Sequence, residues 1–329
     1  MSRVGYLVVT WNSESIIAEC LESLLRQEGV EPAVWVLDNG SKDRTAEVVR
    51  RYPDVSLLCS DENLGFAKGN NVLVQKALED PEIDLFALVN ADARLSPTWS
   101  QEILQFLDGK THVSAAQGLV LDYYDHGIVD SMHILVSARM QPVQYGYGER
   151  ADEGSYFPRK VFGVHAAAAM YTREFVESQP DPGSLLFDDR FFMYYEDVDV
   201  AFRALVSGYD AYFVPSAVAY HMGSFHSSKR GKDYSLTMMA RNIPAVVYKN
   251  CPKKMASRGV SGVVRLAVDF IRRARAGFGG RSALKVALSF MDGVMKLRQY
   301  RGSRKAIQRR VAIDPDYLLS VMNRDGIMG

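Results

Sequence analysis

An α/β fold on a mostly parallel sheet is the architecture this sequence predicts, and three features predict it. Short apolar runs alternate with amphipathic segments four times within the first ~107 residues. The runs are apolar throughout, as strands covered on both faces require. Three of them end in polar residues, Thr10-Trp11-Asn12, Asp38-Asn39-Gly40-Ser41 and Asn90-Ala91-Asp92. Ligands of such sheets bind beyond the carboxyl ends of the strands.

The elements follow in order. Residues 4–10 read as a first strand, and residues 15–28 as a helix with Ile16, Ile17, Cys20, Leu21, Leu24 and Leu25 at helical spacing. Residues 33–37 form a second strand, 45–51 a short helix, and 55–59 a third strand. A helix over 66–78 leads to a strand at 85–89, and Pro97 opens a helix that runs to Leu107. Residues 113–160 are irregular and rich in Tyr, Gly and His, suited to strands and loops around an acceptor groove. A buried stretch at 161–171 precedes a short helix from Arg173. The aromatic and acidic run 188–199 passes into a helix ended by Gly208, and a strand at 211–214 is stopped by Pro215. From about residue 235 the chain reads as helical.

Charge divides the molecule. The 329 residues carry 39 Lys+Arg and 39 Asp+Glu, a formal net charge of zero that excludes a uniformly basic nucleic-acid binder. Residues 1–248 hold 21 basic and 34 acidic side chains, whereas residues 249–310 hold 17 and 2. Domain boundaries are therefore expected at 1–248, with halves 1–110 and 111–248, and at 249–329. Within the last part, residues 262–276 and 282–300 form two basic amphipathic helices. Leu284, Leu288, Met291, Val294 and Met295 share the apolar face of the second. Cys20, Cys59 and Cys251 form no disulfide or zinc pattern, the short apolar start is a strand rather than a leader, and no window spans a bilayer. A cytoplasmic protein, peripheral on the inner face of the membrane, is expected.

Candidate chemistry lies in the acidic loops. Asp92 can hold a hard divalent cation or cap the following helix; Asp38 can bind ligand or make a tight turn with Ser41. Glu196-Asp197-x-Asp199 follows an aromatic run, where a carboxylate can act as a general base or complement a helix dipole. His221 can be a metal ligand or an ordinary buried histidine. The chain has no GxGxxG after the first strand, no GxxxxGK[ST] and no GxSxG. Dinucleotide oxidoreductases, P-loop NTPases and α/β-hydrolases are thereby disfavoured.

Six blocks in this order resemble inverting, GT-A-type family 2 nucleotide-sugar glycosyltransferases, and within them the rhamnosyltransferase-like branch. They are Val8-Val9-Thr10-Trp11-Asn12; Val36 to Ser41 with Asp43; Glu62-Asn63-Leu64-Gly65-Phe66-Ala67 with Gly69, Asn70 and Asn71; Leu88 to Asp92; Phe192-Met193 with Glu196, Asp197 and Asp199; and His221 with Gly223-Ser224. The resemblance covers roughly residues 4–226. It implies a GT-A fold, Rossmann-like, with its mostly parallel sheet flanked by helices and a C-terminal basic helical appendage.

The resemblance further implies that Thr10 and Asp38 hold the nucleotide base with Trp11 packed beside it, and that Asn12 and Asn39 belong to the same nucleotide-sugar site. Asn63, Gly65 and Asn70 shape the diphosphate side, and Lys68, Asn90, Ala91 and Asp92 also belong to the nucleotide-sugar site. Asp92 and His221 would hold Mg2+ or Mn2+, with Asn90 standing where the family's metal motif has its first Asp and reaching the ion through water. Asp197 is the implied general base, with Glu196 as its neighbour and alternate. Asp199 braces the helix, and Lys229, Arg230 and Lys232 form a lid over the pyrophosphate. The implied reaction is a single displacement that moves L-rhamnose from dTDP-L-rhamnose to a hydroxyl of a glycan, such as a polyprenyl-diphosphate-linked polysaccharide precursor. UDP-hexoses and UDP-N-acetylhexosamines are alternative donors. A sugar-phosphate nucleotidyltransferase and a non-catalytic scaffold are the alternatives from other classes. The basic segment 249–310 suits an anionic membrane surface or packs within a homo-oligomer, and nucleic acid is not expected.

Overall fold

The computed structural model describes residues 2–179, 185–223 and 233–324. Strand β1 (Ser2–Thr10), helix α1 (Ile17–Leu25), β2 (Val30–Asn39), α2 (Thr45–Val49), β3 (Val55–Ser60), α3 (Gly65–Ala77) and β4 (Ile83–Val89) come in the predicted order. A short β5 (Ala93–Leu95) precedes α4 (Trp99–Leu107). The irregular region resolves into β6 (Val113–Asp122), β7 (Val129–Ser131), β8 (His133–Val136), β9 (Pro142–Tyr145) and β10 (Arg159–Val161). Then come β11 (Ala168–Thr172), α5 (Arg173–Glu177), α6 (Glu196–Val206) and β12 (Asp210–His221). Five helices complete the described chain: α7 (Tyr234–Asn250), α8 (Ala256–Phe278), α9 (Gly280–Met295), α10 (Arg301–Gln308) and α11 (Pro315–Arg324).

The main sheet runs β10-β12-β6-β11-β4-β1-β2-β3. Strand β1 lies parallel to β2 and β4, β2 to β3, and β6 to β12, while β11 runs antiparallel between β4 and β6. The two-residue period of β1 explains how both faces are filled. Val4, Tyr6 and Val8 meet Leu21 and Leu24 of α1 and Trp99 of α4 in one core. Leu7 meets Leu73 and Val74 of α3 in the other. A third core joins Phe191, Val198 and Phe202 to Ile243, Leu266, Phe270 and Val286, so the C-terminal helices pack against the segment that carries the acidic run.

Two sequence expectations change. Pro215 does not end β12. The pairing with β6 slips between Val214 and Val218, and this bulge absorbs a residue that has no N–H for the ladder. Gly118 makes room for it, because a Cβ there would lie 1.6 Å from the Ala217 carbonyl oxygen. The strand therefore continues to His221, which pairs with Ala93 of β5 and so arrives beside Asp92. The second change concerns α9. Its apolar period is as read, but the helix turns its small side inward, through Ala283, Val286 and Gly293. A Cβ on Gly293 would lie 2.0 Å from the Arg241 carbonyl oxygen, so α7 and α9 approach almost backbone to backbone. Leu284, Leu288, Met291, Val294 and Met295 are left exposed. Among the described residues, no helix is long and apolar enough to cross a membrane.

Candidate active site

The polar strand ends converge on a cleft of about 500 Å³ at the carboxyl edge of the sheet. Parallel pairing sets Thr10 directly beside Asp38. Asp38 accepts the Ser41 backbone N–H at 3.2 Å, which is the turn reading of that residue. Asn12 has a positive φ of 52° and ties two loops together, accepting the Lys42 N–H at 2.8 Å while its own N–H donates to Ser41 Oγ. Asn39 clamps the next loop. Its Oδ1 accepts the Leu64 N–H at 2.8 Å and its Nδ2 donates to the Gly65 carbonyl at 3.1 Å. Thr10, Trp11, Asn39, Asn63, Gly65, Asn90, Ala91 and Asp92 line the cleft. Asn12, Asp38, Lys68 and Asn70 stand behind or beside it, with Asn70 Nδ2 bonded to the Phe66 carbonyl inside α3. Lys229, Arg230 and Lys232 fall outside the described residues.

Asp92 caps no helix, since α4 begins only at Trp99. It is buried, and its Oδ1 lies 3.3 Å from His221 Nε2. The Asn90 amide nitrogen is also 3.3 Å from that ring nitrogen. The opposite ring nitrogen, Nδ1, sits 3.0 Å from Oδ2 of Asp130 on β7. Burial opposes charge on the imidazole, but Asp92 and Asp130 outweigh it and push His221 up to about 10. Asp130 carries no motif and stands on a three-residue strand in the irregular region, so the sequence reading passed over it. Its only sequence signal is an acid inside an otherwise apolar stretch.

Glu196 and Asp197 open α6, facing the cleft. Glu196 Oε2 is buried with no hydrogen-bond partner among the described residues, and burial beside Asp197 holds its carboxyl well above the usual range. Asp197 accepts the Val198 N–H at 2.8 Å. Burial raises its pKa too, against the pull of His165 and the N–H groups of Val198 and Ala166. Asp197 is thus the more readily ionised of the two and the better placed to accept a proton. Asp199 points away from the cleft, to Lys249 at 2.8 Å and Arg203 at 3.2 Å, and braces the helix.

The loop leading to this pair is strained. Phe192, Tyr194 and Tyr195 have φ of 65°, 68° and 69°, values that side-chain-bearing residues rarely adopt. Phe192 centres a γ-turn closed by Met193 N–H to the Phe191 carbonyl at 2.8 Å. Two contacts hold it. The Asn242 side-chain amide on α7 donates to the carbonyls of Phe191, Met193 and Tyr194, at 3.1, 3.0 and 2.7 Å. The Phe192 carbonyl accepts the N–H groups of Phe66 and Ala67, at the open end of α3. Gly65 permits the approach, because a Cβ there would sit 2.5 Å from the Phe192 ring. Nothing in the sequence period marked Asn242 for this role. Replacing Asn242 with Ala should leave the loop carbonyls unpartnered and cost about 1–3 kcal/mol in a urea titration. Turnover should fall more than donor affinity, because the groups displaced are Glu196 and Asp197.

A model of Glycosyl transferase family 2 matches residues 6–178. The N-acetylglucosaminyl-diphospho-decaprenol L-rhamnosyltransferase of Mycobacterium tuberculosis is 28% identical over 249 residues, covering 68% of this chain and 77% of that protein. Among solved structures, a mannosyltransferase from Pyrobaculum calidifontis in complex with GDP-Man and Mn2+ superposes with a TM-score of 0.52 at 18% identity, covering 94% of this chain and 85% of that one. TarS of S. aureus gives a TM-score of 0.52 at 15% identity, over 98% of this chain and 55% of that one. The sheet, its crossing helices and the matched span agree: this chain belongs to glycosyl transferase family 2 and is a transferase of GT-A fold.

Proposed function

We propose that the protein moves L-rhamnose from dTDP-L-rhamnose to a hydroxyl of a lipid-linked glycan, with inversion at the anomeric carbon. The observation that carries this reading is one cleft holding two separate acidic centres, Asp197 on α6 and the Asp92–His221–Asp130 cluster at the sheet edge. Donor and acceptor classes draw support from the mycobacterial relative, whose name gives an L-rhamnosyl transfer to a decaprenol-linked sugar. An acceptor of that kind is presented at a membrane face, which makes peripheral association the matching location.

The reaction divides between the two centres. The acceptor hydroxyl attacks the anomeric carbon from the face opposite the nucleoside diphosphate, and Asp197 takes its proton. One displacement needs no second nucleophilic carboxylate. Thr10, Trp11 and the Asn39-clamped loop hold the nucleotide side. Glu196, kept neutral by burial, orients the acceptor by donating a hydrogen bond.

The residues fit a divalent cation such as Mn2+ or Mg2+. Asp92 would offer an oxygen donor and His221, once its Nε2 proton is displaced, a nitrogen donor, with Asp130 on Nδ1 holding the ring in place. Among the described residues no three His, Cys, Asp or Glu side chains converge as a closed cage, so the donor's diphosphate oxygens would complete the set. When bound, the cation would neutralise charge on the leaving diphosphate.

Four measurements test the reading. Thermal shifts with a panel of nucleoside-diphosphate sugars, with and without Mn2+, should show the largest stabilisation for dTDP-L-rhamnose, about 2.7 kcal/mol at a hundredfold excess over Kd. A larger shift with a UDP-hexose would reassign the donor. Asp197→Asn should lower kcat by about 10²–10⁴-fold while the donor still stabilises the protein. In the unaltered enzyme, kcat should fall as pH drops through a value above the ordinary aspartate range, because the base is lost on protonation. Asp130→Asn should weaken Mn2+ binding about 10–100-fold in a calorimetric titration, since the orienting carboxylate is gone. Unchanged affinity would remove Asp130 from the cation site.

A further inference from the structure

We propose that the outward faces of α8 and α9 form a docking surface for an anionic lipid bilayer. On α8, Val260, Val264 and Val268 recur every four residues along one exposed side. On α9, Leu284, Leu288, Met291 and Met295 recur at helical spacing, and Phe278 ends α8. These eight side chains are between 41% and 70% exposed. Single exposed apolar residues are ordinary, but two helix-length stripes on adjoining helices are not. Elsewhere each helix is packed: Leu266, Phe270 and Ala274 of α8 and Ala283 and Val286 of α9 lie in the third core. The stripes are therefore surplus to folding.

Charge selects the occupant. Arg258, Arg265, Arg272, Arg275 and Arg281 are exposed on the same two helices, while Lys285, also exposed, pairs with Asp233 ahead of α7 at 3.1 Å. The two acids between residues 249 and 310 do not offset them at the surface. Asp269 lines the cleft, and Asp292 pairs with Arg241 at 3.2 Å and Lys296 at 2.8 Å. A second copy docked through this face would bring like charges together. An acyl boundary below phosphate headgroups accepts both the apolar stripe and its basic flank. The position is also apt. Leu266, Asp269, Phe270 and Arg273 of α8 line the cleft, so one helix borders both the bilayer and the site. This inference rests on the lipid-linked acceptor proposed above for its purpose, but its binding test needs no substrate.

The full-length chain is sedimented with vesicles of phosphatidylcholine, with and without phosphatidylglycerol. Binding should be at least about tenfold stronger with the anionic lipid and should weaken as salt is raised. The combined variant Leu284→Glu, Leu288→Glu and Met291→Glu should lose about tenfold or more of that binding. Its melting temperature and its turnover on a water-soluble acceptor should hold, because the three side chains pack against nothing in the core. Equal vesicle binding by this variant overturns the proposal. So does a change from dimer to monomer in sedimentation velocity without loss of vesicle binding, which assigns the face to a second copy. Vesicle binding without transfer to any lipid-linked acceptor supports the docking surface and overturns only the acceptor reading.

Discussion

The buried ammonium of Lys249 is the constraint on which the rest of the site depends. It reaches Asp188 at 2.6 Å and Asp199 at 2.8 Å, and all three side chains are fully buried. Asn250 Nδ2 donates to Asp199 at 2.7 Å, and Arg190 meets Asp188 at 2.6 Å. Burial disfavours ionised Asp188, but Lys249 and Arg190 outweigh it and hold the carboxyl down at about 2. Such a set adds little net stability over an apolar core, yet losing one member costs about 3–5 kcal/mol because charge is left uncompensated. Its effect is positional. Asp188 and Asp199 bracket the strained loop and the Glu196-Asp197 pair, so the end of α7 fixes both ends of the acidic run from behind.

That anchoring explains how the loop keeps backbone angles that side chains disfavour. Positive φ at three of four successive residues, 192, 194 and 195, persists only if the surroundings over-determine it. The Asn242 amide, the open end of α3 and the Lys249 pairs act on different parts of the loop. The contact with α3 also couples the Asn39-clamped loop to the loop that leads into Glu196 and Asp197. The loop clamped by Asn39 runs into α3, whose first N–H groups, those of Phe66 and Ala67, hold the Phe192 carbonyl. A shift in one half of the cleft would therefore be felt in the other.

The sequence made the first half of the fold legible because its signals are local. Apolar runs end in polar turns, and the turn residues proved to be where the cleft is lined. The resemblance paired Asp92 with His221 at one cation, but no local signal showed how the chain brings them together. Their meeting depends on a bulge that carries β12 past Pro215, and a proline in a strand normally argues against continuation. Asp130, Asn242 and Lys249 escaped for a related reason. Each acts across more than 45 residues of chain, and none belongs to a periodic or motif-like pattern. For α9 the period was right, yet periodicity reports only that a helix has two sides. Which side is buried was decided by Gly293, whose missing side chain lets α7 come closer than the leucine side would allow.

The charge asymmetry is resolved in the same way, by position rather than by sum. Several of the 17 basic residues between 249 and 310 bond to the rest of the protein. Lys249 neutralises two buried acids, Arg304 donates to the Tyr248 and Cys251 carbonyls, and Arg310 donates to the Ser178 carbonyl. Those charges bind the helical segment to the catalytic body, which is why the segment shares a core with Phe191 and Phe202 instead of standing apart. Of the charges that remain outward, Arg258, Arg265, Arg272, Arg273, Arg275, Arg281 and Lys285 lie on α8 and α9, beside long apolar stripes that the described helices leave uncovered, and as many lie elsewhere in the segment. A neutral total thus contains two separate uses of positive charge. One is internal and holds the acidic run in register, and the other is external and lies in part against unburied leucine, valine and methionine. Composition cannot distinguish the two, because the same residue types serve both; burial can.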